Sequence, residues 1–146
     1  ENIELAIQSL TKLNKEQTKS RIRKSLDLVD LDNIGHMMPS EISGGMKKRV
    51  GIARAIAINP EYIMYDEPTT GLDPITTDKI NSLITKVSKK KSVTSIVVTH
   101  NMKTLEKVAN KVIMLHEGSI IFDGDVIDLF KSKDKFIQYF ITGDRA

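Results

Sequence analysis

The chain has 146 residues, the length of one domain, and its 40% hydrophobic and 28% charged residues are typical of a globular protein. It has no cysteine, which excludes a disulfide scaffold, a thiolate zinc site and a cysteine nucleophile. The net charge of +3 favours an ordinary solvated surface, and with only 5% aromatic residues a base-stacking surface is not expected. No apolar run approaches the roughly 18–20 residues of a membrane span.

The first forty residues are predicted to form a polar, helical region with helices over residues 3–10 and 15–29. An irregular connection follows, and Ser43 with the two glycines after it opens a third helix that continues to about Asn59. One face of this helix is predicted to be apolar, because four residues recur at helical spacing. They are Met46, Val50, Ala53 and Ala57.

Two short apolar segments, residues 62–65 and 94–99, are predicted to be strands of a parallel sheet that are buried on both faces. A helix is predicted to begin between them at Asp73-Pro74 and to end near the basic run Lys89-Lys90-Lys91. Its apolar residues follow the helical period and are Ile80, Leu83, Ile84 and Val87.

Residues 111–115 and 119–122 are predicted to pair as a hairpin across Glu117-Gly118, and one or two helices follow Gly124. Helices that alternate with fully apolar strands predict an α/β fold with a parallel sheet. In such sheets ligands bind at the carboxyl ends of the strands. The polar residues that follow the predicted strands are therefore the candidates for a functional site.

Two adjacent acids, Asp66 and Glu67, end the first predicted strand. Neighbouring strand residues point to opposite faces, so one carboxylate can serve Mg²⁺ while the other polarises a water for in-line attack on a phosphate. The alternative is a strand-end turn with two solvated acids, since Asp-Glu-Pro is ordinary turn chemistry.

The segment Ser43-Gly44-Gly45 can bind an anion, because a glycine-flanked helix start presents backbone N–H groups and the positive end of the helix dipole. The alternative is a plain N-cap after a flexible turn. His100, which follows the second strand, can donate a hydrogen bond to a phosphate or orient a water. Its alternative is a surface histidine that caps the next helix.

The other two histidines have no partners in the sequence and are interpreted as structural or exposed. They are His36 and His116. No pair of histidines has metal-ligand spacing, which argues against a zinc site. No Gly-x-Ser-x-Gly segment is present, which argues against a serine hydrolase.

Four motifs follow one another along the chain. They are Ile42-Ser43-Gly44-Gly45-Met46, Tyr62-Ile63-Met64-Tyr65-Asp66-Glu67-Pro68, Gly71-Leu72-Asp73-Pro74 and Val97-Val98-Thr99-His100. In this order they resemble the signature motif, the Walker B strand with its catalytic glutamate, the D-loop and the switch histidine of the ATP-binding subunits of ABC transporters. The resemblance covers nearly all of the chain.

The resemblance implies an α/β fold of the P-loop NTPase, ABC-ATPase type, with a parallel sheet, flanking helices and a helical subdomain. It implies that residues 1–40 are part of the helical subdomain. Residues 41–146 would be the carboxyl-terminal part of the ATPase core. In this family the P-loop and the Q-loop precede the signature motif, and this chain begins just after them. The chain is therefore expected to be truncated at its amino terminus.

In this family two ATP-binding domains pack head to tail, with each ATP between the P-loop of one domain and the signature of the other. The resemblance therefore implies that Ser43, Gly44 and Gly45 contact the γ-phosphate of an ATP held by a second ATP-binding subunit. Met46 belongs to the same nucleotide-contacting segment. Asp73 is expected at the dimer interface, where it would couple the two sites.

The catalytic roles are also implied by the resemblance. Asp66 would serve Mg²⁺, and Glu67 would be the general base for the attacking water. His100 would hold the γ-phosphate and that water in register. ATP and Mg²⁺ are the expected cofactors.

Met46 departs from the glutamine that many family members carry, and a thioether cannot donate a hydrogen bond to a sugar or phosphate. The segments around Met46 and Asp73, and the closing segment 136–140, look like Mla-type ATPases of retrograde phospholipid transport. This resemblance implies lipid transport, with a transmembrane permease and an MCE-domain protein as partners. The subunit is expected to be peripheral, on the cytoplasmic side of the inner membrane.

The sequence contains no Gly-x-x-x-x-Gly-Lys-Ser/Thr, the P-loop that cradles the β- and γ-phosphates. The chain alone is therefore expected to bind ATP poorly and hydrolyse it negligibly. Because the family's upstream strands are missing, exposed apolar sheet is expected.

Two alternatives remain open. One is a nucleotide-incompetent fragment that acts as a dimerisation module or docks a permease through residues 3–29. The other is an ABC-type ATPase of DNA maintenance or translation. The second is disfavoured, and no nucleic-acid partner is expected, because no long coiled-coil or extra-domain insertion is visible.

Overall fold

The chain forms two units in its computed structural model, residues 1–98 and the residues from Thr99 onward. The structure describes residues 1–91 and 93–143, and for Lys90 and Lys91 the backbone only. The chain length predicted one domain, so the division into two units is a finding of the structure. The helical region predicted over residues 1–40 lies within the first unit.

Three helices begin the first unit. They are α1 (Asn2–Leu10), α2 (Lys15–Leu28) and α3 (Gly44–Ala57), and a short 3-10 helix, Pro39–Glu41, precedes α3. A capping box at Asn14 starts α2, in the manner expected where a polar segment turns into a helix. Both α1 and α2 pack against α3. Arg49 of α3 also donates hydrogen bonds to the carbonyl oxygens that follow α2.

In the described part of the first unit, the parallel sheet has two strands, β1 (Tyr62–Asp66) and β2 (Thr94–Val98). They are connected by α4 (Pro74–Lys91), which packs against β2. The strands are in register from Tyr62 opposite Thr94 to Asp66 opposite Val98, so their carboxyl ends lie side by side. The predicted apolar residues of α4 are all buried and are Ile80, Leu83, Ile84 and Val87.

The prediction that these strands are buried on both faces is wrong. In β1 the side chains alternate, with Ile63 and Tyr65 buried and Met64 72% exposed. Alternation arises because successive strand residues point to opposite faces, and helices cover only one face of this sheet among the described residues. The apolar residues of the uncovered face, called the open face below, are Tyr62, Met64, Ile96 and Val98. The exposed apolar sheet that the sequence led us to expect is therefore confirmed.

From residue 99 to residue 143, the described part of the second unit, the chain forms three helices and a hairpin. The helices are α5 (Met102–Val108), α6 (Val126–Phe130) and α7 (Lys135–Thr142), and the antiparallel strands are β3 (Lys111–His116) and β4 (Ser119–Asp125). Val112, Leu129 and Ile137 form its core. Within the described part of the chain, no helix combines the length and apolar character needed to cross a bilayer.

Candidate functional site

The two adjacent acids, of which Asp66 was predicted to serve Mg²⁺ and Glu67 to be the general base, lie at the carboxyl edge of the parallel sheet. Asp66 is the last residue of β1 and pairs with Val98 of β2. The backbone N–H of Glu67 donates to the carbonyl oxygen of Val98 at 2.9 Å, which continues the pairing one residue past the strand. Asp66 is exposed and Glu67 is half-buried. The sheet thus fixes where both carboxylates leave the backbone.

The backbone of Glu67 is held in the left-handed region, with a φ of 43° that residues with a β-carbon rarely adopt. Lys48 of α3 donates from Nζ to the Glu67 carbonyl oxygen at 3.2 Å, and the N–H of Thr70 donates to the same oxygen at 3.3 Å. The Thr70 hydroxyl donates to Oε2 of Glu67 at 3.0 Å. Neighbouring groups therefore hold both the backbone and the carboxylate of Glu67 in place.

Ser43 is the N-cap of α3, and its hydroxyl accepts a hydrogen bond from the N–H of Met46 at 3.3 Å. The plain N-cap that the sequence offered as the alternative is therefore present. Ser43 and Gly44 are exposed, so the cap does not remove the helix start from solvent. The first N–H groups of a helix have no partner within the helix, which leaves an exposed donor set suited to an anion.

Gly45 differs from Gly44 in its surroundings. Gly45 is buried, and a β-carbon built on it would lie 2.6 Å from Cγ2 of Thr76 on α4. A β-carbon on Gly44 would meet nothing within 4 Å. The second glycine of the pair thus allows the start of α3 to approach the start of α4.

Asp73 caps the start of α4. Its carboxylate accepts hydrogen bonds from the N–H groups of Ile75 and Thr76, at 2.9 and 3.0 Å, and from the Thr76 hydroxyl at 2.5 Å. The Thr76 hydroxyl, followed by the Thr76 N–H, lowers the pKa of Asp73 below its ordinary value. Asp73 is exposed and remains charged over the neutral range.

The first turns of α3 therefore contact two other predicted site segments. Lys48 reaches the backbone of Glu67, and Gly45 lies against the residue that binds Asp73. Three residues that hold these segments were not predicted from the sequence, namely Lys48, Thr70 and Thr76. Two signals were available. Lys48 lies one helical turn after Gly44, and Asp73-x-x-Thr76 has the spacing of a helix cap.

His100 follows β2 and is described with the second unit, where it is exposed. The residue that caps α5 is Asn101, whose side chain accepts from the N–H of Thr104 at 3.0 Å. The interpretation of His100 as a helix cap is therefore wrong. Its predicted action on a phosphate stays a prediction. His36 is exposed, and His116 lies against the ring of Phe136 with 4.0 Å between ring centroids.

The donor set for a metal ion is small. Among residues 1–91 and 93–143, no group of three or more His, Cys, Asp or Glu side chains could hold a metal ion. Mg²⁺ commonly binds one or two protein carboxylates and completes its octahedral shell with water and phosphate oxygens. Asp66 therefore fits a Mg²⁺ that is shared with a nucleotide, whereas a metal held by the protein alone does not fit.

Comparisons with known proteins place the chain beside ATP-binding proteins of transporters. A family model described as "ABC transporter" matches residues 1–70. The methionine import ATP-binding protein MetN of Corynebacterium efficiens is 40% identical over 131 residues, which are 90% of this chain and 36% of that protein. The chain is thus similar in sequence to ATP-binding proteins of ABC transporters. It spans well under half the length of that curated relative.

Solved structures extend this relationship to the fold. One is cbiO1 from Clostridium perfringens, part of the ABC transporter complex cbiONQ, with a TM-score of 0.81 at 25% identity over 96% of this chain and 55% of that chain. Another is the ATP-binding cassette MJ0796, solved as a dimer bound to ADP and Pi, with a TM-score of 0.73 at 30% identity over 85% of this chain and 54% of that chain. The predicted ABC-ATPase fold of the P-loop NTPase class is confirmed.

Proposed function

We propose that this chain is part of the ATP-binding and ATP-hydrolysing subunit of an ABC transporter. The observation that carries the proposal is the pair of carboxylates at the end of β1, where Lys48 of α3 and Thr70 hold Glu67 by hydrogen bonds. The relationship to MetN, and to a cassette solved with ADP and Pi, supports the same activity. Both cofactors follow from it, ATP as the nucleotide and Mg²⁺ as its counterion.

The two carboxylates have different proposed roles in hydrolysis. The Thr70 hydroxyl orients Glu67, which accepts a proton from the attacking water as general base. Asp66 would hold Mg²⁺, which when bound offsets the charge on the phosphate oxygens. His100 is proposed to hold the γ-phosphate and the attacking water in register, with Glu67 and His100 as the catalytic pair.

The nucleotide is proposed to lie between two subunits that pack head to tail. Ser43 and Gly44 are exposed at the start of α3, where they can meet an ATP bound by a second ATP-binding subunit. Gly45 and Met46 continue that segment, and Met46 contributes packing because its thioether cannot donate. Asp73 is proposed at the interface of the two subunits.

The transported molecule is the part of the proposal that the sequence motifs and the comparisons assign differently. The segments around Met46 and Asp73 indicated phospholipid transport, whereas the curated relatives are methionine import proteins. We favour methionine or a similar small solute as the cargo, and no comparison supports an MCE-domain partner. A transmembrane permease is the proposed second partner, with the subunit peripheral on the cytoplasmic side of the membrane.

Uptake of labelled methionine by proteoliposomes that contain the complete ATPase subunit and the permease tests the cargo. Phospholipid transfer without methionine uptake would overturn the assignment of methionine as cargo.

Glu67→Gln in the complete ATPase subunit tests the activity. We expect ATP hydrolysis to fall at least about 100-fold, since a general base typically contributes 10²–10⁴-fold, while ATP-bound dimers persist. Glu61→Gln is the matched control, because Glu61 is exposed at the other end of β1 and should leave hydrolysis unchanged. Hydrolysis by Glu67→Gln at a rate near that of the wild type would show that Glu67 is not the base.

A second candidate function is a docking module that does not bind nucleotide by itself. It is favoured by the exposed Leu5 and Leu10 on α1. Titration of the 146-residue chain with ATP, followed by calorimetry, tests this second candidate. We expect no binding at micromolar ATP, and micromolar binding would count against the docking module.

A further inference from the structure

We propose that Thr76 is a positioning residue that joins the start of α3 to the loop that ends at Asp73, called the Asp73 loop. Residue 45 is glycine because the Thr76 methyl occupies the space that a β-carbon would take. The importance of this junction for ATP hydrolysis rests on the proposed function. The junction itself stands on the packing of α3 against α4.

Thr76 makes two contacts through one β-carbon. Its hydroxyl donates to Oδ2 of Asp73 at 2.5 Å, and its methyl Cγ2 faces Gly45, 2.6 Å from where a β-carbon would be. Because both groups are on the same β-branched carbon, rotation about χ1 moves them together. A side chain at position 45 that displaces the methyl therefore also breaks the hydrogen bond to Asp73.

Backbone conformation does not explain glycine at position 45. Among the described glycines, positive φ angles occur at Gly71, Gly118 and Gly143, and Gly45 lies in the regular helix α3. Alanine would be favoured there by helix propensity. The other two glycines of α3, Gly44 and Gly51, have open space where a β-carbon would be. The restriction is thus specific to the glycine that faces Thr76.

The junction makes the helix start and the Asp73 loop move as one body. In the proposed function both act at the boundary between subunits, Ser43 and Gly44 toward the partner's nucleotide and Asp73 toward the partner's surface. A change at the Gly45–Thr76 contact would therefore also reach Asp73. This gives Asp73 a use as a reporter of the junction.

A double-mutant cycle of Gly45→Ala and Thr76→Ser tests the proposal in this chain. Serine lacks the methyl but keeps the hydroxyl, so it relieves the clash and preserves the bond to Asp73. Melting temperature and the Asp73 pKa, measured by carboxyl NMR, are the two readouts. We expect Gly45→Ala to lower the melting temperature by roughly 5–10 °C and to raise the Asp73 pKa, and the double variant to restore both.

Gly51→Ala is the matched control, since it makes the same change in α3 where space is open. It should not lower the melting temperature or change the Asp73 pKa. A double variant no better than Gly45→Ala, or Gly45→Ala that leaves both readouts unchanged, would overturn the proposal.

Thr76→Val provides a second measurement if Gly45→Ala does not fold. Valine keeps the shape and removes only the hydroxyl, so we expect a folded protein with a raised Asp73 pKa. An unchanged Asp73 pKa in Thr76→Val would overturn the proposal. None of these readouts uses ATP, so hydrolysis that survives Glu67→Gln would defeat the proposed function and leave this inference standing.

Discussion

The position of Glu67 depends on hydrogen bonds from neighbouring residues as well as on its own side chain. Its backbone is in a conformation that costs free energy for a residue with a β-carbon, on the order of 1–3 kcal/mol. Hydrogen bonds from Lys48 and Thr70 to its carbonyl oxygen, and from its N–H to Val98, hold it there. The identity of Glu67 as a candidate base could be predicted from sequence. The role of Lys48 could not be predicted, because Lys48 and Glu67 are 19 positions apart in the chain and lie on different elements.

A second residue-scale feature is a pair of carboxyl groups at the end of α2, Asp27 in its last turn and Asp32 in the segment that follows. A hydrogen bond between the carboxyls of Asp32 and Asp27, with the negative charges of Asp27 and Asp30, raises the pKa of Asp32 above its ordinary value of 3.8. The folded state therefore binds this proton more firmly than the unfolded state. The stabilising contribution is present below pH 3.8 and is lost as the pH rises through the raised pKa.

We expect Asp32→Asn to increase stability at neutral pH, because it removes the repulsion between ionised carboxylates. The gain should disappear as the pH falls below 3.8, where the wild-type group is protonated in both states. Thermal unfolding of both proteins at pH 7 and pH 3 measures it. Glu106→Gln, an exposed change on α5, is the control. A gain of equal size at both pH values would contradict the prediction.

At the scale of elements, α3 shows where periodicity predicts a helix but not its buried face. The predicted face was centred on Met46, Val50, Ala53 and Ala57, whereas Met46 and Val50 are only partly buried. The buried residues are Gly45, Ile52, Ala53, Ile56 and Ala57. The difference arises because α1, α2 and α4 all pack on α3 and cover more than one stripe. A sequence pattern cannot indicate how many neighbours a helix has.

Local sequence predicted the hairpin and its turn, although β4 continues three residues beyond its predicted end at Phe122. Its turn residues Glu117 and Gly118 both have positive φ, 47° and 77°, as a type I′ turn requires. Asparagine is favoured at the first of these positions, so Glu117→Asn should stabilise the protein by about 0.5–1 kcal/mol. Gly118→Ala should destabilise it by roughly 1–2 kcal/mol, because a β-carbon is strained at this φ.

Urea unfolding of both turn variants measures these changes. Gly35→Ala is the control, since Gly35 has space for a β-carbon and no positive φ. The prediction is wrong if the two turn variants shift stability in the same direction.

At the scale of the whole molecule, the open face of the parallel sheet exposes apolar side chains that an ordinary surface does not carry together. Met64 and Ile96 lie opposite one another in the register and are 72% and 46% exposed, with Tyr62 and Val98 beside them. Contiguous apolar surface on a short sheet favours association between molecules. The chain should therefore self-associate as its concentration rises.

We expect the double variant Met64→Thr and Ile96→Thr to weaken this association and keep the fold, because threonine suits a strand and both positions are exposed. Sedimentation velocity over a range of concentrations measures the association, and circular dichroism checks the fold. Ile75→Thr, at an exposed isoleucine on α4, is the control. Association that is unchanged in the double variant and reduced in the control would place the contact elsewhere.

Interactions between residues close together in the chain were sufficient to predict much of the secondary structure of this protein. The starts of the helices, the two parallel strands, the hairpin turn and the acids after β1 could all be predicted, because hydrophobic period, capping and turn chemistry act between residues a few positions apart. The tertiary structure alone decided which sheet face stays open, that Lys48 holds Glu67, and that Thr76 fills the space beside Gly45. These are contacts between residues that are distant in the chain, and they depend on how closely two elements approach, which the order of residues does not specify.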